Sequence, residues 1–162
     1  MDKYLIGIVH IDIASLVFPE GIGRQIDDSS AQTLLEVFRS RKETYGDTYG
    51  DERDEVENQI PASISDTELN SILQESQLTR VHLQSSLSNG TYPKLNTSNR
   101  KIYCFHGKHR LRTAEWFFEP DDQWWTVRLH IFPPDGKYLI YLNSGILLIT
   151  NKSSLLLGSK SK

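Results

Sequence analysis

Basic side chains are concentrated in one short segment of the chain, residues 100–112. The segment contains no acid, and its five Lys and Arg residues and two histidines are Arg100, Lys101, His106, Lys108, His109, Arg110 and Arg112. Gly107 separates an apolar run at 101–105 from a helical pattern at 108–118, which predicts a strand, a sharp turn and a helix. The start of a helix offers unpaired N–H groups and a partial positive charge. This arrangement is typical of a phosphate-binding site.

Five residues at this helix start are the candidate ligands of a phosphate: Gly107, Lys108, His109, Arg110 and Arg112. Arg110 can grip two phosphate oxygens with parallel hydrogen bonds, whereas Lys108 supplies a more mobile point charge. Cys104 and His106 are secondary candidates. The competing interpretation is an ordinary helix start whose cations are solvated.

A zinc site is a second interpretation of the same segment, because Cys and His are the ligands that zinc prefers. Cys104, His106 and His109 would supply three ligands, and His82 or His130 the fourth. That spacing is loose. We therefore expect no metal site, with Cys104 buried in the strand and His106 in the turn.

Residues 105–114 resemble the glycine-and-arginine box of the ParB/sulfiredoxin superfamily. ParB-type partition proteins carry Gly-Glu-Arg-Arg-x-Arg-Ala-Ala at a helix start, which Gly107, Arg110, Arg112 and Ala114 match. Sulfiredoxins carry Phe-Gly-Gly-Cys-His-Arg, which is matched by Phe105, Gly107, His109 and Arg110. The resemblance implies a small mixed sheet with two or three helices, an α+β fold, and a site for ATP or CTP with magnesium.

The wider pattern resembles an uncharacterised fungal family with a ParB-like core, often encoded in mobile elements. Residues 104–110 match its Cys-x-His-Gly-x-His-Arg box and residues 124–127 its Trp-Trp-Thr-Val run. Members of that family usually continue further, so the resemblance implies a shortened relative.

Departures from the superfamily limit which activities are expected. Lys108 occupies the sulfiredoxin nucleophile position, and thiol chemistry needs a poised thiolate, so repair of sulfinic acids is not expected. The 30 residues after Phe132 leave no room for the DNA-binding domain of partition proteins. Glu36 and Asp27 are candidates for a catalytic base, but neither lies in a motif, and catalysis is left unassigned.

Composition limits the class of protein. The 162 residues carry a formal charge of −3, which excludes a uniformly basic nucleic-acid binder. Cys104 is the single cysteine, so no intramolecular disulfide can form. The start of the chain lacks a signal-peptide pattern, and the longest apolar stretch, 138–149, is too short for a membrane span. We expect an intracellular protein of the cytoplasm or nucleus; the oligomeric state stays open.

Three further elements are predicted in the first half of the chain. Residues 4–13 are rich in Ile and Val and predict a strand. A helix should follow the N-cap candidates at 27–30, and its apolar positions are Ala31, Leu34, Leu35 and Phe38. A second helix should begin at a capping box formed by Ser65 and Glu68, with Ile64 and Leu69 as a hydrophobic staple and with Leu69, Ile72 and Leu73 buried.

Two β elements are predicted in the second half. Residues 124–132 alternate as a half-buried strand, with Trp125 on the core side. Trp124 then covers a neighbouring helix or stacks on a nucleobase. Residues 138–142 and 146–150 should form a hairpin around 143–145.

The organisation follows from these elements: one domain at 1–132 with flexible insertions at 43–58 and 84–99, then an atypical hairpin or tail at 133–162. The insertion at 43–58 is a solvated acidic loop of charge −6, and residues 100–112 contribute +5. We expect a nucleotide- or phosphate-binding protein. The alternatives are a non-enzymatic module that binds DNA phosphate or a protein, and an inactive truncated remnant of a mobile-element protein.

Overall fold

The computed structural model describes residues 3–19, 27–46 and 53–131, together with the backbone of three later strands. The elements in chain order are β1 (Leu5–Asp12), β2 (Leu16–Val17), α1 (Asp28–Tyr45), β3 (Ile60–Ile64), α2 (Asp66–Ser76), α3 (Arg80–Asn89), β4 (Ile102–Cys104), α4 (Lys108–Phe117), β5 (Trp124–Ile131), β6 (Lys137–Leu142), β7 (Gly145–Thr150) and β8 (Leu155–Leu157).

A five-stranded mixed sheet with the order β1-β5-β3-β4-β2 forms the centre of the fold. β5 runs antiparallel to β1 and parallel to β3, and β4 runs antiparallel to β3 and parallel to β2. With its helices this sheet makes the small α+β fold that was predicted. The described residues contain four α-helices rather than two or three.

The predicted helix starts are confirmed by their capping contacts. The Asp27 side chain accepts a hydrogen bond from the Ser29 N–H at the start of α1. Ser65 accepts one from the Glu68 N–H at the start of α2. These contacts satisfy N–H groups that have no partner within the helix.

One hydrophobic core joins the sheet to all four helices. Its largest fully enclosed side chain is Trp125, which packs parallel to Phe38 of α1 with ring centroids 6.0 Å apart. Alternate residues of β1, β3 and β5 supply the sheet side of this core. The prediction that Trp125 is the inward-facing tryptophan is therefore confirmed.

β5 is more deeply buried than predicted. Thr126 and His130, on the side opposite Trp125, are 0% and 3% exposed. β5 lies between β1 and β3, and interior strands are covered on both faces more often than edge strands. The alternation of apolar and polar residues in β5 therefore does not correspond to an alternation of buried and exposed side chains.

The prediction of a solvated loop at 43–58 is wrong at both described ends. Residues 43–45 continue α1, and Arg53 is only 2% exposed. Arg53 is held by aromatic rings and carbonyl groups of other segments, which a count of charges along the sequence does not reveal.

The prediction of a flexible insertion at 84–99 is also wrong. Residues 84–89 belong to α3, and Leu95 and Thr97 are fully buried. The N-cap of α3 is Thr79, whose N–H donates to His82 Nδ1, 2.9 Å away. A capping box normally has Glu or Gln at that position, so the histidine concealed the helix start.

The hairpin near the end of the chain forms as β6 and β7, which pair antiparallel from Lys137 opposite Thr150 to Leu142 opposite Gly145. Gly145 thus belongs to a strand rather than to the turn. β8 adds a third strand to this separate sheet, and no strand was predicted there. Residues 133–136, 143–144, 151–154 and 158–162 of the predicted tail lie outside the described residues.

Candidate functional site: a cationic helix start and a neighbouring histidine–aspartate pair

The basic segment forms the strand, turn and helix that its pattern predicts. β4 ends at Cys104, the Phe105 N–H donates to the Pro61 carbonyl at 3.0 Å, and α4 begins after Gly107. Gly107 is the N-cap of α4 and has a φ of +105°, which only glycine adopts easily. It offers no capping side chain. The first N–H groups of α4 therefore have no side-chain cap from this residue.

Gly107 also lies against Ile60, at the start of the central strand β3. A Cβ built on it would come within 2.8 Å of both Cγ1 and Cδ1 of Ile60, the first residue of β3. Both the backbone angle and the space thus require glycine here, which brings the turn close to the sheet end.

Arg110 is the exceptional cation of this segment. Its side chain is partly buried, and the loss of hydration lowers the pKa of its guanidinium, while the charge of Glu57 opposes that shift. It makes no hydrogen bond or ion pair within the described part of the chain. None of its nitrogens is among the buried atoms without a partner, so the guanidinium is open to solvent. A partly dehydrated, unpaired cation of this kind favours an anionic ligand.

Lys108 and Arg112 flank Arg110 on the same helix. Lys108 Nζ lies 5.7 Å from the centre of the Phe18 ring. The Arg112 guanidinium lies 5.4 Å from the Trp116 ring and 4.0 Å from a carboxylate oxygen of Asp28. Arg112 Nε is buried and has no hydrogen-bond partner among the described residues. Lys108 is therefore the cation more available to an anion, whereas Arg112 already has the Asp28 carboxylate beside it.

His109 has a structural role that the sequence did not show. Its Nε2 accepts a hydrogen bond from the Asp27 N–H at 2.9 Å and so ties the start of α4 to the start of α1. Hydrogen bonds from Ser30 and Ser29, with the nearby His109, lower the pKa of the Asp27 carboxyl. His109 Nε2 is thus an acceptor already in use and is not a donor to phosphate.

Arg100 does not contribute to the site. It forms ion pairs with Glu68 at 3.1 Å and with Glu75 at 2.6 Å, both on α2. Arg100 therefore pairs with carboxylates of α2, whereas the Lys and Arg residues of α4 lie at the start of that helix.

Cys104 and His106 point to different surroundings. Cys104 is fully buried, and burial raises the pKa of its thiol far above the usual range, so no poised thiolate exists. His106 is exposed. Among the described residues, no three His, Cys, Asp or Glu side chains come together as a metal site.

Trp124 is enclosed on both ring faces. The Arg53 guanidinium lies 3.5 Å from its ring centre, and the His10 ring stacks on it with centroids 4.1 Å apart. Two groups this close to one ring must occupy opposite faces. The alternative that Trp124 stacks on a nucleobase is therefore wrong, and Trp124 covers Arg53 and His10 rather than a helix.

A histidine–aspartate pair beside Trp124 was not predicted. His10 Nε2 lies 2.7 Å from Asp54 Oδ1, and the Thr126 hydroxyl donates to the same oxygen at 2.6 Å. His10 and Asp54 are 44 positions apart: His10 lies on β1, and Asp54 lies in the acidic segment, residues 43–58. No short-range spacing could indicate this pair, because only the sheet register brings His10 opposite Thr126.

The pKa of Asp54 predicts a specific loss of stability in acid. Burial raises this pKa, but the hydrogen bonds from His10 and Thr126 outweigh burial, so the net shift is downward. A carboxyl with a lowered folded-state pKa stabilises the fold above its unfolded pKa of about 3.9, and this contribution disappears as the pH falls through the folded value. Asp54→Asn should therefore cost stability at pH 6 and cost less at pH 3.

Urea unfolding at pH 6, 4 and 3, followed by tryptophan fluorescence, measures this difference. Asp121→Asn is the control, because Asp121 is exposed and makes no hydrogen bond with the described residues. Equal costs of Asp54→Asn at pH 6 and pH 3 would contradict the assignment.

The fold and site define a small α+β domain with a glycine-initiated cationic helix at one end of a mixed sheet. The chain belongs to the family described as the N-terminal domain of a protein of unknown function, DUF3723, whose model matches residues 3–137. No curated protein and no solved structure matches the chain. Within the described residues, no helix is both long and apolar enough to cross a membrane.

Proposed function

We propose that the start of α4 binds the phosphate groups of a nucleotide. The observation that carries this proposal is Arg110, a partly dehydrated guanidinium that has no hydrogen-bonded partner in the described part of the chain and lies one turn from the left-handed Gly107. Arginine in such a position gains most from a phosphate, because two parallel charge-assisted hydrogen bonds replace its lost hydration.

The other residues of the helix start support the same ligand. Gly107 leaves the first N–H groups of α4 open to an anion, and the axis of the 10-residue helix directs its positive end there. Lys108 adds a mobile charge, and Arg112 adds a second guanidinium whose Nε lacks a partner. His109 holds the helix in place through its Nε2, which accepts from the Asp27 N–H, and its Nδ1 is the nitrogen that can contact the ligand.

ATP or CTP with magnesium is the ligand implied by the superfamily resemblance. The donors present fit the phosphates. The described residues gather no set of three metal-binding side chains, so magnesium would arrive with the phosphates rather than be held by the protein. Nucleotides occur in the cytoplasm and the nucleus, which are the compartments predicted from the sequence.

A nucleotide panel with Arg110→Ala tests the proposal. Thermal shift with and without magnesium identifies the ligand, and calorimetry measures its affinity. We expect Arg110→Ala to weaken binding at least about tenfold, since charge-assisted hydrogen bonds contribute roughly 1.5–3 kcal/mol. Arg80→Ala is the matched control, because Arg80 is an exposed arginine already paired with Asp66 at 2.6 Å. Unchanged nucleotide affinity in Arg110→Ala would refute the placement.

Salt dependence distinguishes a nucleotide from DNA phosphate. Binding to a DNA backbone weakens linearly on a log–log plot against salt and does not depend on the base or on magnesium. That result would favour the non-enzymatic alternative at the same helix start.

A further inference from the structure

We propose that His10 and Asp54 form a proton-accepting pair, in which His10 Nδ1 is a general base for a bound hydroxyl group, either an alcohol or a water molecule. This inference goes beyond the proposed nucleotide site and uses none of its residues.

The carboxylate fixes which imidazole nitrogen carries the proton. Asp54 is ionised near neutral pH, because hydrogen bonds from His10 and Thr126 lower its pKa. An ionised carboxylate only accepts hydrogen bonds. His10 Nε2, 2.7 Å from Asp54 Oδ1, must therefore carry the hydrogen. The lone pair of the neutral ring is then on Nδ1.

Nδ1 of His10 is unoccupied and reachable. His10 makes no other hydrogen bond with the described residues, and its side chain is 21% exposed. Nδ1 is also not among the buried atoms that lack a partner, so it is not sealed from solvent. A ring nitrogen used only to hold the sheet would not need this opening.

The imidazole ring is held rigidly by its neighbours. Trp124 stacks on one face, and Tyr92 meets the ring edge-on with centroids 6.0 Å apart. Thr126 is fully buried, and its hydroxyl donates to the same Asp54 oxygen that His10 contacts. A carboxylate that orients an imidazole in one tautomer is the arrangement that general bases use in hydrolytic enzymes.

The charged and titratable groups around His10 come from four segments. Asp54 and Arg53 lie in the acidic segment, with Arg53 on the far face of Trp124. Asp12 on β1 pairs with Lys94 at 2.6 Å, and the neighbours of Lys94, Pro93 and Leu95, form the backbone hydrogen bonds to His10. Arg128 on β5 donates to Gln59, and Tyr92 supplies the remaining titratable side chain. Arg53, Asp12, Lys94 and Arg128 each have a hydrogen-bonded partner other than the His10 side chain. Asp54 is therefore the charged group that determines which nitrogen of the His10 ring carries the proton.

The proposed step is a proton transfer. The O–H bond of the bound hydroxyl breaks, its proton forms a new bond to Nδ1, and the electron pair stays on the oxygen. The imidazolium that results is stabilised by the ionised Asp54. No oxidant or reductant takes part.

Diethyl pyrocarbonate measures the reactivity of Nδ1 directly. The Nδ1 lone pair attacks a carbonyl carbon of the reagent, monoethyl carbonate leaves, and the proton on Nε2 passes to solvent. Mass spectrometry of peptides from the full chain gives a rate for every histidine between pH 5 and pH 8. His82 is the internal reference, because it is exposed and its Nδ1 is occupied by the Thr79 N–H.

We expect His10 to react faster than His82, despite being less exposed. Asp54→Asn should slow His10 at least about tenfold without changing His82, a smaller loss than the roughly 10⁴-fold effect of removing the aspartate from a complete triad. Thr126→Val keeps the pair but loses one hydrogen bond to Asp54, and it should slow His10 less than Asp54→Asn. If Asp54→Asn does not fold, the wild-type and Thr126→Val rates still decide the matter.

Nitrogen NMR of wild-type protein provides the second readout. We expect His10 in the tautomer protonated at Nε2, which tests the assignment of its hydrogen bond to Asp54, while the modification rate tests the reactivity of Nδ1. A His10 rate at or below that of His82, or a protonated Nδ1 in the neutral ring, would overturn the proposal. Neither result depends on whether a nucleotide binds at α4.

Discussion

Arg53→Ala should lower the free energy of unfolding by about 3 kcal/mol, because it removes a buried cation from a fully formed set of contacts. The guanidinium lies between the rings of Phe118 and Trp124, 3.9 and 3.5 Å from their centres. It also donates to the carbonyls of Asp122 and Trp124 and to the Asp122 carboxylate. The alanine variant leaves these acceptors without a hydrogen-bond donor. It also creates a cavity between the two rings.

Urea unfolding at neutral pH, followed by far-UV circular dichroism because Trp124 itself is a contact, measures this loss. Arg80→Ala is the control: its ion pair with Asp66 is exposed, and we expect a cost of no more than about 1 kcal/mol. Arg53→Lys should fall between the two, because lysine keeps the charge but lacks the planar fork. Equal costs for the two alanine variants would show that the acidic segment is not anchored by Arg53.

Gly107→Ala should cost about 3 kcal/mol through two additive effects. A residue with a Cβ is strained by about 1–2 kcal/mol at the left-handed φ of +105°. The new methyl group would also press on Ile60 from 2.8 Å, and overpacking of this kind costs about 1–3 kcal/mol. Because the turn would have to move, the nucleotide binding that we propose for α4 should weaken as well.

Gly90→Ala separates the two effects. Gly90 also has a positive φ, +69°, but nothing lies within 4 Å of its Cβ position, so only the conformational cost of about 1 kcal/mol is expected. Ile60→Val removes the Cδ1 that the new methyl would meet, and Gly107→Ala should be less costly in that background. The same cost for the Gly107 and Gly90 variants would contradict the close approach to the sheet.

Much of the fold could be predicted because its signals are local. The α1 helix is specified by the spacing of Ala31, Leu35 and Phe38, and α2 by the capping residue Ser65. Burial of Trp125 followed from its place in an apolar alternation. Each of these signals depends on residues within a few positions of one another, which interact whatever the rest of the chain does.

The errors arose where polar sequence is buried by distant partners. The α3 segment is rich in serine, yet Ser86 is 2% exposed because its hydroxyl accepts a hydrogen bond from the Ile8 N–H on β1. An edge strand needs such partners for its outward N–H groups, and a serine-rich helix can supply them. Composition suggested a flexible loop because the partner lies 78 positions away.

The sequence predicted the strand, turn and cationic helix start that we propose as a phosphate site, but not the contacts of its residues. Gly107 and the cations of α4 stand at the helix start as their order requires. Only the tertiary structure shows that Arg110 has no hydrogen-bonded or ion-pair partner among the described residues, that Arg100 forms ion pairs with α2, and that His109 is hydrogen-bonded to the start of α1. Whether two charged residues form an ion pair depends on the distance between their segments in the fold. The order of charges along the sequence does not give that distance.

By itself the sequence determined the α+β class, the starts of α1, α2 and α4 and the location of a cationic turn, because backbone geometry and capping act over a few residues. The tertiary structure alone decided that Arg53 is buried between aromatic rings and that His10 meets Asp54. Those contacts form when the sheet register places β1 beside β5 and Asp54 reaches Thr126 of β5. Register depends on the packing of the whole core, so residues far apart in the chain acquire their chemistry only after folding.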